Sequence, residues 1–125
     1  MQNFSSKIKS ENLIDRSYRF SLDIIELTNQ LPNKRSAWII TDQLIRSATS
    51  IGANQIEARA SSSRLEFKKF FEIALKSSNE CKYWLALLRD AKLANKTEID
   101  NLLQEVNELS NMLAKSVLTL KSRKF

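Results

Sequence analysis

Across the middle of the chain Arg46, Ser50, Asn54 and Glu57 recur at spacings of four, four and three residues. On an α-helix such positions are neighbours on one surface. A solvent-facing helix ordinarily carries flexible Lys and Glu there. This series instead sets two short hydrogen-bonding side chains between one Arg and one Glu. That composition suits a half-buried hydrogen-bond network at a helix–helix or subunit contact, with a merely solvated stripe as the alternative.

Bond-making chemistry is harder to find. The chain has no His, the residue on which zinc hydrolysis, most general-base catalysis and Ser-triad chemistry draw. The Glu-x-x-His pairs of di-iron bundles are absent, as are the glycine-rich phosphate loops. Cys81 stands alone, with no disulfide partner and no cluster of metal ligands, and reads as a small buried hydrophobe. An acid pair such as Glu57 with Glu80 could in principle bind a metal, and Glu80 reads better as a surface or interface carboxylate. The expectation is a protein that is not an enzyme, with no cofactor, metal or small-molecule substrate.

Phosphate binding needs only positive charge. Twenty basic against fourteen acidic residues give a formal net charge of +6, which permits affinity for nucleic acid or another acidic partner. Three groups are candidates: Arg64, Lys68, Lys69 and Lys76 near the start of one helical segment, Arg16 and Arg19 on another, and the tail Lys121, Arg123 and Lys124. They are scattered, and a solvated helical surface explains much of the charge. Phe67, Phe70, Phe71 and Trp84 lie on or beside an apolar face and read as core, whereas Tyr83 reads as exposed.

The elements that position these residues are legible from periodicity. One Gly and one Pro in 125 residues argue for long helices with short connections. Apolar spacing predicts a first helix over about 10–31, carrying Leu13, Ile14, Ser17, Phe20, Ile24, Ile25 and Leu27, ended by Pro32 and Asn33. A second is expected over about 36–59 with Ser36 as its N-cap. A third runs over 64–94, where Ser63 and Glu66 resemble a capping box. It presents Phe67, Phe70, Phe71, Ala74, Ser78, Cys81, Leu85 and Leu88. The fourth runs over about 97–122, capped by Thr97, with Ile99, Leu102, Leu103, Val106, Leu109, Leu113, Val117 and Leu120 on one face. The expected fold is all-α, a single antiparallel up-down-up-down four-helix bundle over 1–125, frayed at 1–9 and 122–125. A three-helix variant is the other layout.

At about 100° per residue, Trp38, Leu44, Ile45, Ala48, Ile51, Gly52 and Ile56 share the apolar arc of the second helix. Gly52, the lone glycine, is therefore expected to let a neighbouring helix approach closely, or to kink its own. The N-terminal stretch has no apolar core of a signal peptide and no apolar run is long enough to span a bilayer, so a cytoplasmic protein is expected.

Residues 43–85, QLIRSATSIGANQIEARASSSRLEFKKFFEIALKSSNECKYWL, resemble the bacterial four helix bundle protein family. Its members are encoded in intervening sequences of large-subunit ribosomal RNA genes, among other places. They include the accessory variability-determinant proteins of diversity-generating retroelements. The matching positions are Gln43, Leu44, Arg46, Ser50, Ile51, Ala53, Asn54, Ile56 and Glu57, then Phe67, Phe70, Ile73, Ala74, Ser77 and Glu80. The chain departs from the family pattern at Ala58 and Lys76, where Gly is usual, and at Gly52, where Pro is frequent. The resemblance implies an antiparallel bundle that assembles as a homo-oligomer, commonly a pentameric barrel. In the retroelement branch it implies binding of a reverse transcriptase and of nucleic acid, RNA or DNA, through a basic surface. On this reading Arg46, Ser50, Asn54, Glu57, Ser77 and Glu80 fix the register of two helices or of adjacent protomers. The chain is then an accessory protein, or else a purely structural or protein-interaction module with no nucleic-acid role.

Overall fold

The computed structural model describes residues 12–122. They form four helices: α1 (Leu13–Asn29), α2 (Arg35–Arg59), α3 (Arg64–Asp90) and α4 (Lys96–Ser122). The expected fraying at 1–9 and 123–125 falls outside the described residues, while Ser122 closes α4. Among the described residues no helix is long and apolar enough to cross a membrane.

Local chemistry sets the ends. Asn12 caps α1 by accepting from the Asp15 N–H at 2.9 Å. Ser63 caps α3 in the same way, its Oγ accepting from the Glu66 N–H at 3.1 Å. Glu66 reaches back to the N–H of Ser62, at 3.4 Å, rather than to Ser63 itself. Two expected caps are corrected. Lys34, without a side-chain cap bond, precedes α2, so Ser36 lies inside the first turn. Asn95, accepting from the Glu98 N–H at 3.0 Å, caps α4 in place of Thr97. Asparagine is as good an N-cap as serine and better than threonine, and Asn95 begins the helix two residues sooner.

Helix α3 stops at Asp90, short of the expected 94, because the chain turns left-handed at Lys92 (φ 60°). The Lys92 N–H donates to Arg89 O at 3.0 Å and the Leu93 N–H to Leu88 O at 2.9 Å, which closes a Schellman motif. Leu93 then folds back onto the core. Glycine is the usual residue at that position, and its absence hides the stop from the sequence.

Paired residues run in opposite senses along each seam. Ser21 donates to Ala48 O and Gln55 to Ser17 Oγ. Ser47 meets Cys81 and Ser50 meets Ser77. Ser78 meets Ser110, and Arg89 meets Asp100. The helices therefore alternate up and down. Each packs on two neighbours, most extensively α2 on α3, and the α1–α4 seam is the thinnest.

Phe20, Ile24, Leu44, Ile51, Leu85, Leu88, Ile99, Leu109 and Leu113 are fully buried at the centre. The expected faces of α3 and α4 supply most of this core. Helix α2 departs from expectation at its flanks, since Trp38 and Ile56 are 58% and 56% exposed. They sit about 80° from Ala48 around the helix axis, on the outer side of the α1–α2 seam, where no other described helix covers them. Gly52 lies within an unbroken α2. A Cβ built there would meet Ser17 Cβ at 3.7 Å, ordinary contact, so α1 comes near without requiring a glycine.

Candidate functional site

Part of the polar series on α2 forms a bonded cluster with α3. Asn54 Nδ2 donates to Ser50 O and to Ser50 Oγ, each at 2.8 Å. Ser77 Oγ on α3 donates to Ser50 Oγ at 2.9 Å. One turn earlier the Cys81 thiol donates to Ser47 Oγ at 3.4 Å. Burial pushes the Cys81 thiol up to about 12, so it stays protonated and inert at neutral pH. Small side chains let α2 and α3 approach closely here, and their hydroxyls satisfy one another across the seam.

Arg46, Glu57 and Glu80 lie around this cluster as exposed side chains. Among the described residues, no hydrogen bond or ion pair joins any of the three to it. The sixfold set therefore divides into a bonded centre of Ser50, Asn54 and Ser77 and three charged positions facing water.

The basic candidates also divide. Arg64, Lys68 and Lys69 occupy the first two turns of α3, directly after the Ser61–Ser63 turn. Arg59, which the sequence reading did not single out, ends α2 on the other side of that turn. Together Ala58, Arg59, Ser61, Ser62, Ser63, Arg64, Phe67 and Leu120 line one depression at this end of the bundle. Lys121 lies on the same end, its Nζ 3.8 Å from Glu72 Oε2. Lys76 is exposed two to three turns further along α3, beside a shallow depression over Leu75 and Val117. Arg19 is half-buried on α1, and Arg123 and Lys124 lie outside the described residues.

Arg16 requires a correction. It is 6% exposed and its charge is taken up within the bundle. Its Nε donates to Glu105 Oε2 at 3.1 Å, and its Nη2 to Glu105 Oε1 at 2.7 Å and to Glu108 Oε1 at 2.8 Å. Hydrogen bonding to Glu105 holds the guanidinium charged above its ordinary range, against the cost of burial. An arginine so engaged with two carboxylates is a clamp between α1 and α4, not a phosphate ligand. The signal was available: Arg16 precedes Phe20, Ile24 and Leu27 on the buried arc of α1.

The opposite end mixes acids with bases. Asp100 accepts from Lys96 at 2.7 Å and from Arg89 at 2.9 Å, and these bonds hold its carboxyl below the usual range. Asp23 and Glu26 of α1 share a surface depression with Glu98 of α4. Burial, with Glu26 and Glu105 nearby, raises the Asp23 carboxyl. Among the described residues no three His, Cys, Asp or Glu side chains come together as metal ligands.

Comparison with known proteins bears on this arrangement. No curated protein matches the chain. The fold is similar to that of a protein of unknown function from the S23 ribosomal protein family of Bacteroides thetaiotaomicron VPI-5482. The TM-score is 0.79 and the sequence identity 32%, over 85% of this chain and 98% of that one. A family model described as 23S rRNA-intervening sequence protein matches residues 9–115. With four helices and the α2–α3 polar seam in place, the chain belongs to the 23S rRNA-intervening sequence protein family.

Proposed function

We propose that this chain is a non-enzymatic, homo-oligomeric accessory protein of the cytoplasm that holds nucleic acid against one basic end of its bundle. The carrying observation is the placement of Arg59, Arg64 and Lys68 around the Ser61–Ser63 turn. Backbone phosphates need such charge and little else. Lys69 and Lys121 extend the same end. The non-enzymatic reading rests on composition, since no His is present to act as acid, base or ligand. The relatives' names refer to ribosomal RNA genes and to a ribosomal protein family, and RNA is accordingly the first nucleic acid to test. A five-membered barrel is the assembly that the family resemblance implies, and a reverse transcriptase is the protein partner of its retroelement branch.

Fluorescence anisotropy against RNA and DNA across a salt series tests the reading. Affinity must fall steadily as salt rises, and each basic residue removed from the contact must lower the log–log slope by about one. Absence of binding at low salt would sink the nucleic-acid half. Unchanged binding after Arg64→Glu and Lys68→Glu would move the contact elsewhere. A protein-interaction module is the second reading, favoured by the apolar side chains that α1 and α2 leave exposed.

A further inference from the structure

Five large apolar side chains stand exposed along one edge of the bundle: Tyr18 (65%), Leu22 (43%) and Ile25 (41%) of α1, and Trp38 (58%) and Ile56 (56%) of α2. Their spacing puts them on one face. Tyr18, Leu22 and Ile25 follow an i, i+4, i+7 pattern. Trp38 and Ile56 fall on the arc of half-buried Ile45 and of Gly52, which approaches Ser17. Because Ser21 bonds Ala48 and Ser17 bonds Gln55, the two stripes flank one seam on its outer side. No Lys, Arg, Asp or Glu lies within the two stripes; exposed Asp15, Asp42 and Arg59 border them.

Together these side chains present on the order of 500 Å² of apolar surface to water. That is near the upper end for the largest patch on a monomer, about 300–600 Å². One side of a stable interface buries about 800 Å², and homodimer contacts are about 65% apolar. The patch therefore supplies about the apolar area that one protomer of a homo-oligomer contributes. Contacts with a transient partner are no more apolar than ordinary surface, which favours a permanent one.

From this geometry we infer that the outer α1–α2 face is where a second copy of this chain docks. The inference rests on the homo-oligomer reading above and names its contact. It also separates two surfaces: the α1–α2 edge for assembly, and the α2–α3 turn end for phosphate.

The test is the mass of purified full-length chain by light scattering at micromolar concentration, for wild type, Leu22→Glu and Ile56→Glu. Both substitutions fall on exposed helix positions, and far-UV circular dichroism checks that each variant stays helical. The expected result is an oligomeric wild type and variants that fall to the mass of a single chain. Ile56→Ser, which adds no charge, should fall in the same direction with at least a tenfold weaker association. An oligomeric wild type whose Glu variants keep its mass would overturn the assigned face while leaving assembly intact. A monomeric wild type would overturn both, and would give the face to a different protein.

Discussion

The thinnest seam of the bundle depends on one buried arginine, and replacing it should cost much of the stability a domain of this size has. Arg16 spans α1 to α4 with three charge-assisted hydrogen bonds between 2.7 and 3.1 Å and a contact from Nη1 to Met112 Sδ at 3.5 Å. Side-chain exposure is 7% for Arg16, 20% for Glu105 and 40% for Glu108. Arg16→Met keeps much of the stem and removes the charge. It leaves Glu105 largely out of water with no counter-ion. Breaking a fully buried pair costs about 3–5 kcal/mol. Partial exposure of both carboxylates lets water compensate in part, which brings the expected loss to about 2–3 kcal/mol. Against a total of about 5–15 kcal/mol, that is a large fraction.

Urea denaturation at one fixed protein concentration measures it, because association would otherwise shift the midpoint. Glu105→Gln in the Arg16→Met background should recover part of the loss, since the stranded charge goes with it. Residues in one network couple by about 0.5–3 kcal/mol, whereas independent sites add within about 0.5. The loss should persist at high salt, where exposed pairs are screened and buried ones much less. An Arg16→Met chain within about 0.5 kcal/mol of wild type, or strict additivity with Glu105→Gln, would refute the clamp.

Three further outcomes follow from single backbone or side-chain positions. Gly52→Ala should raise the melting temperature by roughly 3 °C, because a helix interior gains up to about 1 kcal/mol and the added methyl meets Ser17 at 3.7 Å; a lower melting temperature would mean α1 is pressed closer than it stands. Lys92→Gly should stabilise by about 0.5 kcal/mol, relief of left-handed strain less the extra freedom of the unfolded glycine, while Lys92→Ala, which keeps a Cβ, should gain nothing. Asp23, whose folded carboxyl is raised chiefly by burial, favours folding most below its unfolded value and loses that contribution as pH rises through the folded one. Asp23→Asn should therefore gain on wild type as a urea series moves from acid towards neutral pH, and parallel curves would contradict the raised carboxyl.

Much of the fold is legible in the sequence, because apolar period and turn chemistry are local properties. The buried series on α3 and α4 follow the expected faces, and the Ser63 cap is where a serine followed by a glutamate places it. Helix stops that use no special residue are not legible. Lys92 takes a left-handed conformation usually left to glycine, paid for by Leu93 closing on the core, and nothing local announces it. Polar residues are less legible still. Arg16 and Arg46 each lie within a helix with serine nearby, yet one is buried between two carboxylates and the other faces water. What separates them is the neighbouring helix on each side, a long-range fact that angle on one helix does not contain.

The same reasoning explains why Trp38 and Ile56 mislead. Their angle assigns them to the apolar arc of α2, and they are on it; that arc is simply wider than the bundle beneath it. An apolar arc of about 100° suffices for a helix packed on one core. On α2 it runs from Ile51 through Ala48 and Gly52 to Ile56, past the point where α1 stops covering it. On α1 the arc overruns in the same way, through Ile25 to Tyr18 and Leu22. The two adjacent helices overrun on the same side of the same seam, and no other described helix covers the strip they share. Under the proposed docking a second copy would cover that strip, and Trp38 and Ile56 would then be buried within the assembly. The polar seam of Ser50, Asn54 and Ser77 belongs to the inside of that protomer. Arg46, exposed and clear of the bonded seam, lies on the side of α2 between that seam and the apolar edge.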